Sequence, residues 1–383
     1  MKNVLVLIDK LGRGGAERLV ADFAPRVDKA AYKVSVCSLG ATTAMADEMR
    51  AAGIDLTVLG LSKWDPLALS KVLKTVRDRE VDLIHSHLGK SIVLGWLASR
   101  RAKTRFIAHE HVGPMWPHFG GGPLHRIENW LMCRATLFCM LRADAVIAVA
   151  GPTRDWIVER RARLAEHTVV VTNGINLDGL GKVGEDRDRA RAEVRLEFGL
   201  PPDCPLVFGA ASFRFVKRWD LFVKTAADVL KERPEVQFLG AGSGPLHAEL
   251  IELCRSLGIA ENVHLIGVRG DVPRLMAAAD FFLMPTSMEC DPIVAKEALA
   301  MSLPIVGSDI PPLRENITDG AAGFLVTFGD VEGMARKCLR LLSDDGLLGS
   351  MRQKAHELAR ERFSIEKCVG EIEAVYARVL EER

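Results

Sequence analysis

Short apolar runs alternate with amphipathic segments along the whole of this chain, and that alternation restricts the fold more than any other feature. Strands followed by helical patterns build parallel sheets with helices on both faces. In the first half, Asn3–Asp9, Lys33–Leu39, Asp55–Leu59, Leu83–His87, Arg105–His109, Ala145–Val149 and Thr168–Val171 read as strands. In the second half the strands are Leu206–Ala210, Val236–Ala241, Val263–Gly267, Phe281–Met284, Pro304–Gly307 and Gly323–Val326. Between the halves, Leu177–Arg187 is rich in glycine and acidic turn formers and reads as an interdomain linker. The 383 residues are therefore expected to form two doubly wound α/β domains, 1–178 and 179–363, each large enough for its own core. A last helix, 364–383, is expected to serve either domain, crossing back to the first if it serves that one. Sheets of this kind bind ligands at the carboxyl ends of their strands.

Composition excludes several function classes. A formal net charge of +1 provides no global field for nucleic acid. Eight cysteines are scattered without a Cys-x-x-Cys pair, which argues for a reducing compartment and against a cysteine zinc site. The run Val4–Ile8 is too short for the apolar core of a signal peptide. No stretch reaches the roughly 18 apolar residues of a membrane span. The nearest candidate, Ala135–Ala150, is interrupted by Arg142 and Asp144. The expected location is cytoplasmic, with contact at the inner face of the membrane left open.

The segment Glu289-Cys290-Asp291-Pro292-Ile293-Val294-Ala295-Lys296-Glu297 follows the strand at Phe281–Met284. Pro292 suits the first turn of a helix, where its missing N–H is not needed. Asp291 then reads as the N-cap. Glu289 falls on the loop and Glu297 in the second helical turn, with backbone N–H groups, those of Ile293 among them, at the helix start. A helix N-terminus holds phosphate, and flanking carboxylates accept hydrogen bonds from sugar hydroxyls. That layout grips a nucleotide-sugar; the alternative is a cap and a solvated helix face.

Other strand ends carry related signals. Asp9-Lys10-Leu11-Gly12-Arg13-Gly14-Gly15-Ala16-Glu17 is a glycine turn entering a helix, but Glu17 replaces the third glycine of a dinucleotide fingerprint. Ser212-Phe213-Arg214-Phe215-Val216-Lys217-Arg218 supplies cations that would neutralise a diphosphate leaving group. Gly240-Ala241-Gly242-Ser243-Gly244 lets backbone approach a base or phosphate closely, unless it is only a turn. His85-Ser86-His87 and His109-Glu110-His111 lie near two strand ends, and residues two apart on a strand share a face. A four-histidine metal site and structural histidines are both open readings. With no carboxylate or cysteine at ligand spacing, no metal is expected. Asp186-Arg187-Asp188 resembles a metal-binding Asp-x-Asp but follows no strand and reads as solvated surface.

Taken in order, these motifs strongly resemble the retaining glycosyltransferases of family 4 (glycosyltransferase group 1), and the resemblance runs over nearly the whole chain. It implies the GT-B fold, two facing Rossmann-like domains with a cleft between them. Gly14-Gly15-Ala16-Glu17 is similar to the family's N-terminal glycine loop, His111 to the histidine near the donor sugar, and Asn173-Gly174-Ile175-Asn176 to its Asn-Gly-Ile-Asp segment. Lys217 matches the phosphate-binding lysine, Glu289 and Glu297 the Glu-x7-Glu pair, and Leu303-Pro304-Ile305-Val306 the strand beyond it. The resemblance implies that His111, Lys217 and Glu289 are catalytic. The donor site would draw on Gly14, Gly15, Arg214, Lys217, Gly242, Gly244, Glu289, Asp291, Pro292, Ile293 and Glu297. Three positions depart from the family pattern: Ser212 stands where an arginine is frequent, Cys290 where a glycine is usual, and Asn176 where an aspartate is usual.

The expected activity is transfer of a hexose from a nucleoside diphosphate sugar to a hydroxyl of a glycan or lipid-linked acceptor, without metal or organic cofactor. The competing readings are a non-hydrolysing sugar-nucleotide epimerase and a non-catalytic sugar-nucleotide binder of the same fold. Between Arg126 and Arg163 the chain interleaves arginines with Trp130, Leu131, Leu137 and Phe138. Such a segment rests on an anionic membrane or packs its apolar face on the first domain. Gly113–Gly122 ahead of it reads as an acceptor loop or as disorder.

Overall fold

The computed structural model describes residues 1–62, 65–113, 122–184 and 186–381. Among them lie two parallel sheets. The first has seven strands: β1 (Lys2–Ile8), β2 (Tyr32–Ser38), β3 (Asp55–Val58), β4 (Leu83–His87), β5 (Arg105–Glu110), β6 (Ala145–Ala148) and β7 (Thr168–Val170). The second has six: β8 (Leu206–Ala210), β9 (Gln237–Ala241), β10 (Val263–Leu265), β11 (Phe281–Met284), β12 (Ile305–Ser308) and β13 (Gly323–Val326). Every strand read from the sequence is present, with ends shifted by at most two residues. The interior strands are apolar runs without alternation, as expected where helices cover both faces.

The strand orders are β3-β2-β1-β4-β5-β6-β7 and β10-β9-β8-β11-β12-β13. Each sheet therefore reverses direction once, between β1 and β4 in the first and between β8 and β11 in the second. Two strands leave opposite sides of such a point, so their following loops diverge and leave room for a ligand. β1 and β4 pair with Val6 opposite His85 and Ile8 opposite His87, which puts the histidine pair beside the glycine turn.

The chain divides into two compact units, 1–175 with 365–383, and 176–364. The helix Ile365–Glu381 belongs to the first unit: Ile365 N–H donates to the Ile175 carbonyl at 3.0 Å, and Tyr376 is fully buried there. The expected linker is instead regular structure. Leu177–Gly184 forms a helix, and Arg187–Glu197 forms another. Asn176 Oδ1 accepts the Gly179 N–H at 3.1 Å and caps the first of these. The guanidinium of Arg187 donates to the carbonyls of Met301 and Ala279 at 2.9 and 3.0 Å, fastening the segment to the second unit. Glycine content suggested a break, but a cap and a tertiary anchor outweigh helix propensity there. Most of the expected acceptor loop, 114–121, lies outside the described residues.

Candidate active site

In the second unit the loops after β8 and β11 converge. The Val216 carbonyl accepts Thr286 Oγ1 at 3.0 Å, Ser287 Oγ at 2.9 Å and the Ser287 N–H at 2.9 Å, tying one loop to the other. That clasp delivers Lys217 to Glu289: Nζ lies 2.6 Å from Oε1 and 2.7 Å from Oε2. Glu289 is only 6% exposed and the Lys217 side chain 19%. A hollow beside the pair is lined by Lys217, Thr286 and Glu289 over an apolar floor that includes Trp219 and Phe282. A cation and a carboxylate in one recess offer a diphosphate its counter-charge and a sugar its hydroxyl acceptor.

Two expectations about the following helix are corrected. It runs Ile293–Ala300, so Pro292 is the N-cap at φ −73°, ψ 103° and not a first-turn residue. Asp291 is not the cap either. Its Oδ2 is 2.6 Å from Lys296 Nζ, with side-chain exposures of 2% and 0%, and its Oδ1 accepts from Asn316 Nδ2 at 3.3 Å. The Asp291 side chain is thus buried against Lys296 and Asn316. Ile293 opens the helix and is buried, while Glu297 falls in its second turn, half-buried.

Among the neighbouring cations, Arg218 is bound to Asp220 through two hydrogen bonds of 2.9 and 2.8 Å, whereas Arg214 is exposed. Arg218 adopts a left-handed φ of 50°, which turns the chain from Lys217 into the helix Trp219–Glu232. The glycine loop after β9 is held by the protein itself. A Cβ on Gly242, at φ 154°, would lie 1.9 Å from the Ala211 carbonyl oxygen, and one on Gly244 would lie 2.4 Å from that of Phe213. These glycines let the β9 loop lie against the β8 loop.

The first unit arranges the same place differently. Gly14 caps the helix Gly15–Phe23, and the buried Glu17 carboxylate folds back over it; Oε2 would be 2.4 Å from a Gly14 Cβ. Burial pushes the Glu17 carboxyl above its ordinary range. Asp9, at the end of β1, accepts the Ser91 N–H at 2.7 Å and Ser91 Oγ at 2.5 Å, capping the helix Gly89–Ala102, and burial raises it too. Across from them, His85, His87 and His109 are fully buried and His111 half-buried. Burial holds all four neutral: His85 and His111 are pushed down to about 3, and His87 and His109 well below the usual imidazole range. His85, His87 and His109 each place one ring nitrogen within 4.8 Å of the others.

Sequence reading missed the Lys217–Glu289 contact, the Val216 clasp and the Asp291–Lys296–Asn316 cluster. Only the last had a visible signal, a lysine inside the apolar helix run Ile293–Ala300 with an aspartate five residues before it. Asp186 and Asp188 are exposed, as read.

Two Rossmann-type units with a cation–carboxylate pair at the second switch point define the class, the GT-B fold of nucleotide-sugar enzymes. The family follows from the comparisons. The Glycosyltransferase Family 4 model matches residues 13–178 and the Glycosyl transferases group 1 model matches 205–344, so the chain belongs to this glycosyltransferase family. It is 30% identical over 192 residues to N-acetyl-alpha-D-glucosaminyl L-malate synthase of Bacillus anthracis, spanning half of either chain. It is 29% identical over 312 residues to D-inositol 3-phosphate glycosyltransferase of Salinispora arenicola, covering 78% of this chain and 69% of that one. The fold matches Anabaena Alr3699/HepE, solved in complex with UDP-glucose, with a TM-score of 0.84 at 22% identity over 99% of this chain and 100% of that one.

Proposed function

We propose that this chain is a retaining, metal-independent glycosyltransferase that moves a hexose from a nucleoside diphosphate sugar to a hydroxyl of a glycan or lipid-linked acceptor in cell-surface polysaccharide synthesis. The Lys217–Glu289 pair at the switch point between β8 and β11 carries this reading. A departing diphosphate needs its growing charge neutralised, and a preorganised ammonium in a recess does this without reorganisation. When the diphosphate draws Lys217 toward itself, Glu289 is released to accept hydroxyl hydrogens of the hexose. Glu297 takes the ribose and the start of the helix Ile293–Ala300 takes phosphate. Arg214, exposed on the same loop as Lys217, adds positive charge. The family resemblance assigns His111 to the donor sugar. UDP-glucose is the first donor to test, because the Anabaena protein of like fold holds it.

The lipid side of the acceptor rests on the helix Pro123–Met140. Its second half buries Thr136, Leu137, Cys139 and Met140 against the first unit. In its first half Leu124, Ile127, Trp130 and Leu131 are 77, 56, 58 and 55% exposed, with Arg126 exposed among them and Arg134 exposed just beyond. The second half therefore packs on the first unit, and the exposed first half supports the membrane-surface reading. Exposed aromatic and aliphatic groups beside arginines suit an anionic bilayer surface, which is where a lipid-linked acceptor would be met. No helix among the described residues is long and apolar enough to cross a membrane.

The test is product release from UDP-, GDP- and ADP-linked hexoses with EDTA present, alongside thermal shift. Stabilisation by one donor and EDTA-insensitive release of its diphosphate supports the proposal. Activity that EDTA abolishes removes metal independence, and anomeric analysis of the product decides retention.

A further inference from the structure

The four histidines at the ends of β4 and β5 form two hydrogen-bonded pairs. His85 Nε2 lies 3.2 Å from His109 Nδ1, and His87 Nδ1 lies 2.9 Å from His111 Nε2. His85 Nδ1 is also 2.7 Å from the hydroxyl of Tyr376, on the helix Ile365–Glu381. The rings stack into one block, with centroids of His109 and His111 4.3 Å apart and of His87 and His109 4.7 Å apart. Phe23 closes the block at 6.0 Å from His85 and 5.9 Å from His87.

Two ring nitrogens, His87 Nε2 and His109 Nε2, are buried without a hydrogen-bond partner among the described residues. A buried bare lone pair is tolerated better than a buried orphan N–H. In a neutral imidazole one nitrogen carries the proton and the other accepts. His109 therefore carries its proton on Nδ1 and donates to His85 Nε2. His85 then carries its own on Nδ1 and donates to the Tyr376 oxygen. By the same step, His87 is protonated on Nδ1 and donates to His111 Nε2, which leaves the His111 proton on Nδ1. Glu110 Oε1, next to these rings in sequence, accepts the N–H groups of Val112 and Gly113 at 2.7 and 3.0 Å, and burial disfavours an imidazolium at all four rings.

We propose that these histidines form a tautomeric ladder of two hydrogen-bonded pairs in ring contact, all four protonated on Nδ1, in which His87 is the positioning residue that presents His111 as a hydrogen-bond donor and not as a base. This deepens the transferase reading and rests on it in one respect, the placing of His111 against the hexose. There, His111 Nδ1–H donates to a sugar oxygen, and proton removal from the acceptor falls to another group.

The ladder is tested on the whole protein labelled with ¹⁵N-histidine, by long-range ¹H–¹⁵N correlation in the absence of any sugar nucleotide. Four neutral rings protonated on Nδ1 are expected. A proton on Nε2 of His87 or His111 overturns the assignment. So does a Zn²⁺ titration that shifts His85, His87 and His109 together at one equivalent, which would make the block a metal site. The positioning role is tested with His87→Leu, which removes the donor, and His87→Asn, which keeps an N–H near Nδ1. Misplacing a reacting group by about 1 Å costs about 10²-fold, so His87→Leu should lose about that in kcat with donor KM held. His87→Asn should recover most of the loss; equal loss in both variants, or none in either, ends the positioning role. Wild-type transfer by His111→Ala, with the spectrum as assigned, would instead fault the placing of His111 and leave the ladder standing.

Discussion

The two units share a strand order and a switch point, yet one carries an ammonium–carboxylate pair and the other neutral imidazoles beside buried carboxyls. Between β8 and β11 stands an ammonium–carboxylate pair in a recess. Between β1 and β4 stand four neutral histidines and two carboxyls, Asp9 and Glu17, that burial pushes up. The glycine turn of the first unit is already covered by its own Glu17 carboxylate, so an anion arriving there meets a like group. A fold therefore provides the place for a ligand, and the side chains at the strand ends decide its charge. On the proposed reading, the diphosphate is met by the second unit, and hydroxyls and sugar oxygens by the first.

The largest effect that would test this contrast is on the buried Asp291–Lys296 ion pair that follows β11. Lys296→Met removes the ammonium packed 2.6 Å from the buried Asp291 carboxyl, and breaking a buried pair in this way should cost about 3–5 kcal/mol in denaturant unfolding. Asp291→Leu combined with Lys296→Met should restore most of that stability, since no isolated charge then remains. If the double variant is as unstable as the single one, the pair contributes more than mutual neutralisation.

Next in size is Lys217→Ala. Losing one preorganised partner of a developing charge typically costs about 10²–10³ in kcat, so a fall of that order is expected with a smaller change in donor KM. An unchanged turnover would remove the catalytic distinction between the two switch points.

Acid should strike the first unit through its histidines. The folded pKa of His85 lies below the unfolded value, so the unfolded chain binds more protons as pH falls. Stability is full above about pH 6.5 and is lost progressively toward pH 3, with His85 alone accounting for about 2 kcal/mol at pH 5. Thermal melts at pH 8, 7, 6 and 5 would show it, and His85→Gln should flatten the profile.

The smallest contrast concerns the two glycine loops. Gly242→Ala forces a left-handed φ and a backbone clash and should cost about 1–3 kcal/mol. Gly14→Ala meets only the end of the Glu17 side chain, which can swing aside, and should cost less than about 1 kcal/mol in the same unfolding measurement. Equal costs would mean that both turns are held equally rigidly.

Much of this was legible along the chain. The strands could be read because both faces of each sheet are covered, which leaves uninterrupted apolar runs such as Val4–Ile8 and Phe281–Met284. Lys217, Glu289 and Glu297 stood out because each follows a strand end at a spacing that a loop and a helix start impose. The glycines of the segment 177–187 signal a turn, whereas Asn176 caps a helix there from three residues away and Arg187 anchors the segment to Met301 and Ala279, which are distant in sequence. Asp291 was misread as a cap because the local rule favours aspartate there, while its pairing with Lys296, hinted at by a lysine in an apolar helix run, is made only once the helix turns that lysine inward.

The amino-acid sequence by itself determined the two parallel sheets, the strand ends that carry the chemistry and the family to which the chain belongs. Tertiary structure alone decided which of those groups meet. Lys217 and Glu289 are 72 residues apart, and a carbonyl clasp at Val216 brings them within 2.6 Å. His85 and Tyr376 are separated by 291 residues, and the last helix closes that distance to 2.7 Å. Periodicity and spacing report short-range forces, which act between neighbours in sequence. Ion pairing, tautomer choice and burial depend on distance in space, and those are set only when the sheets and their covering helices pack.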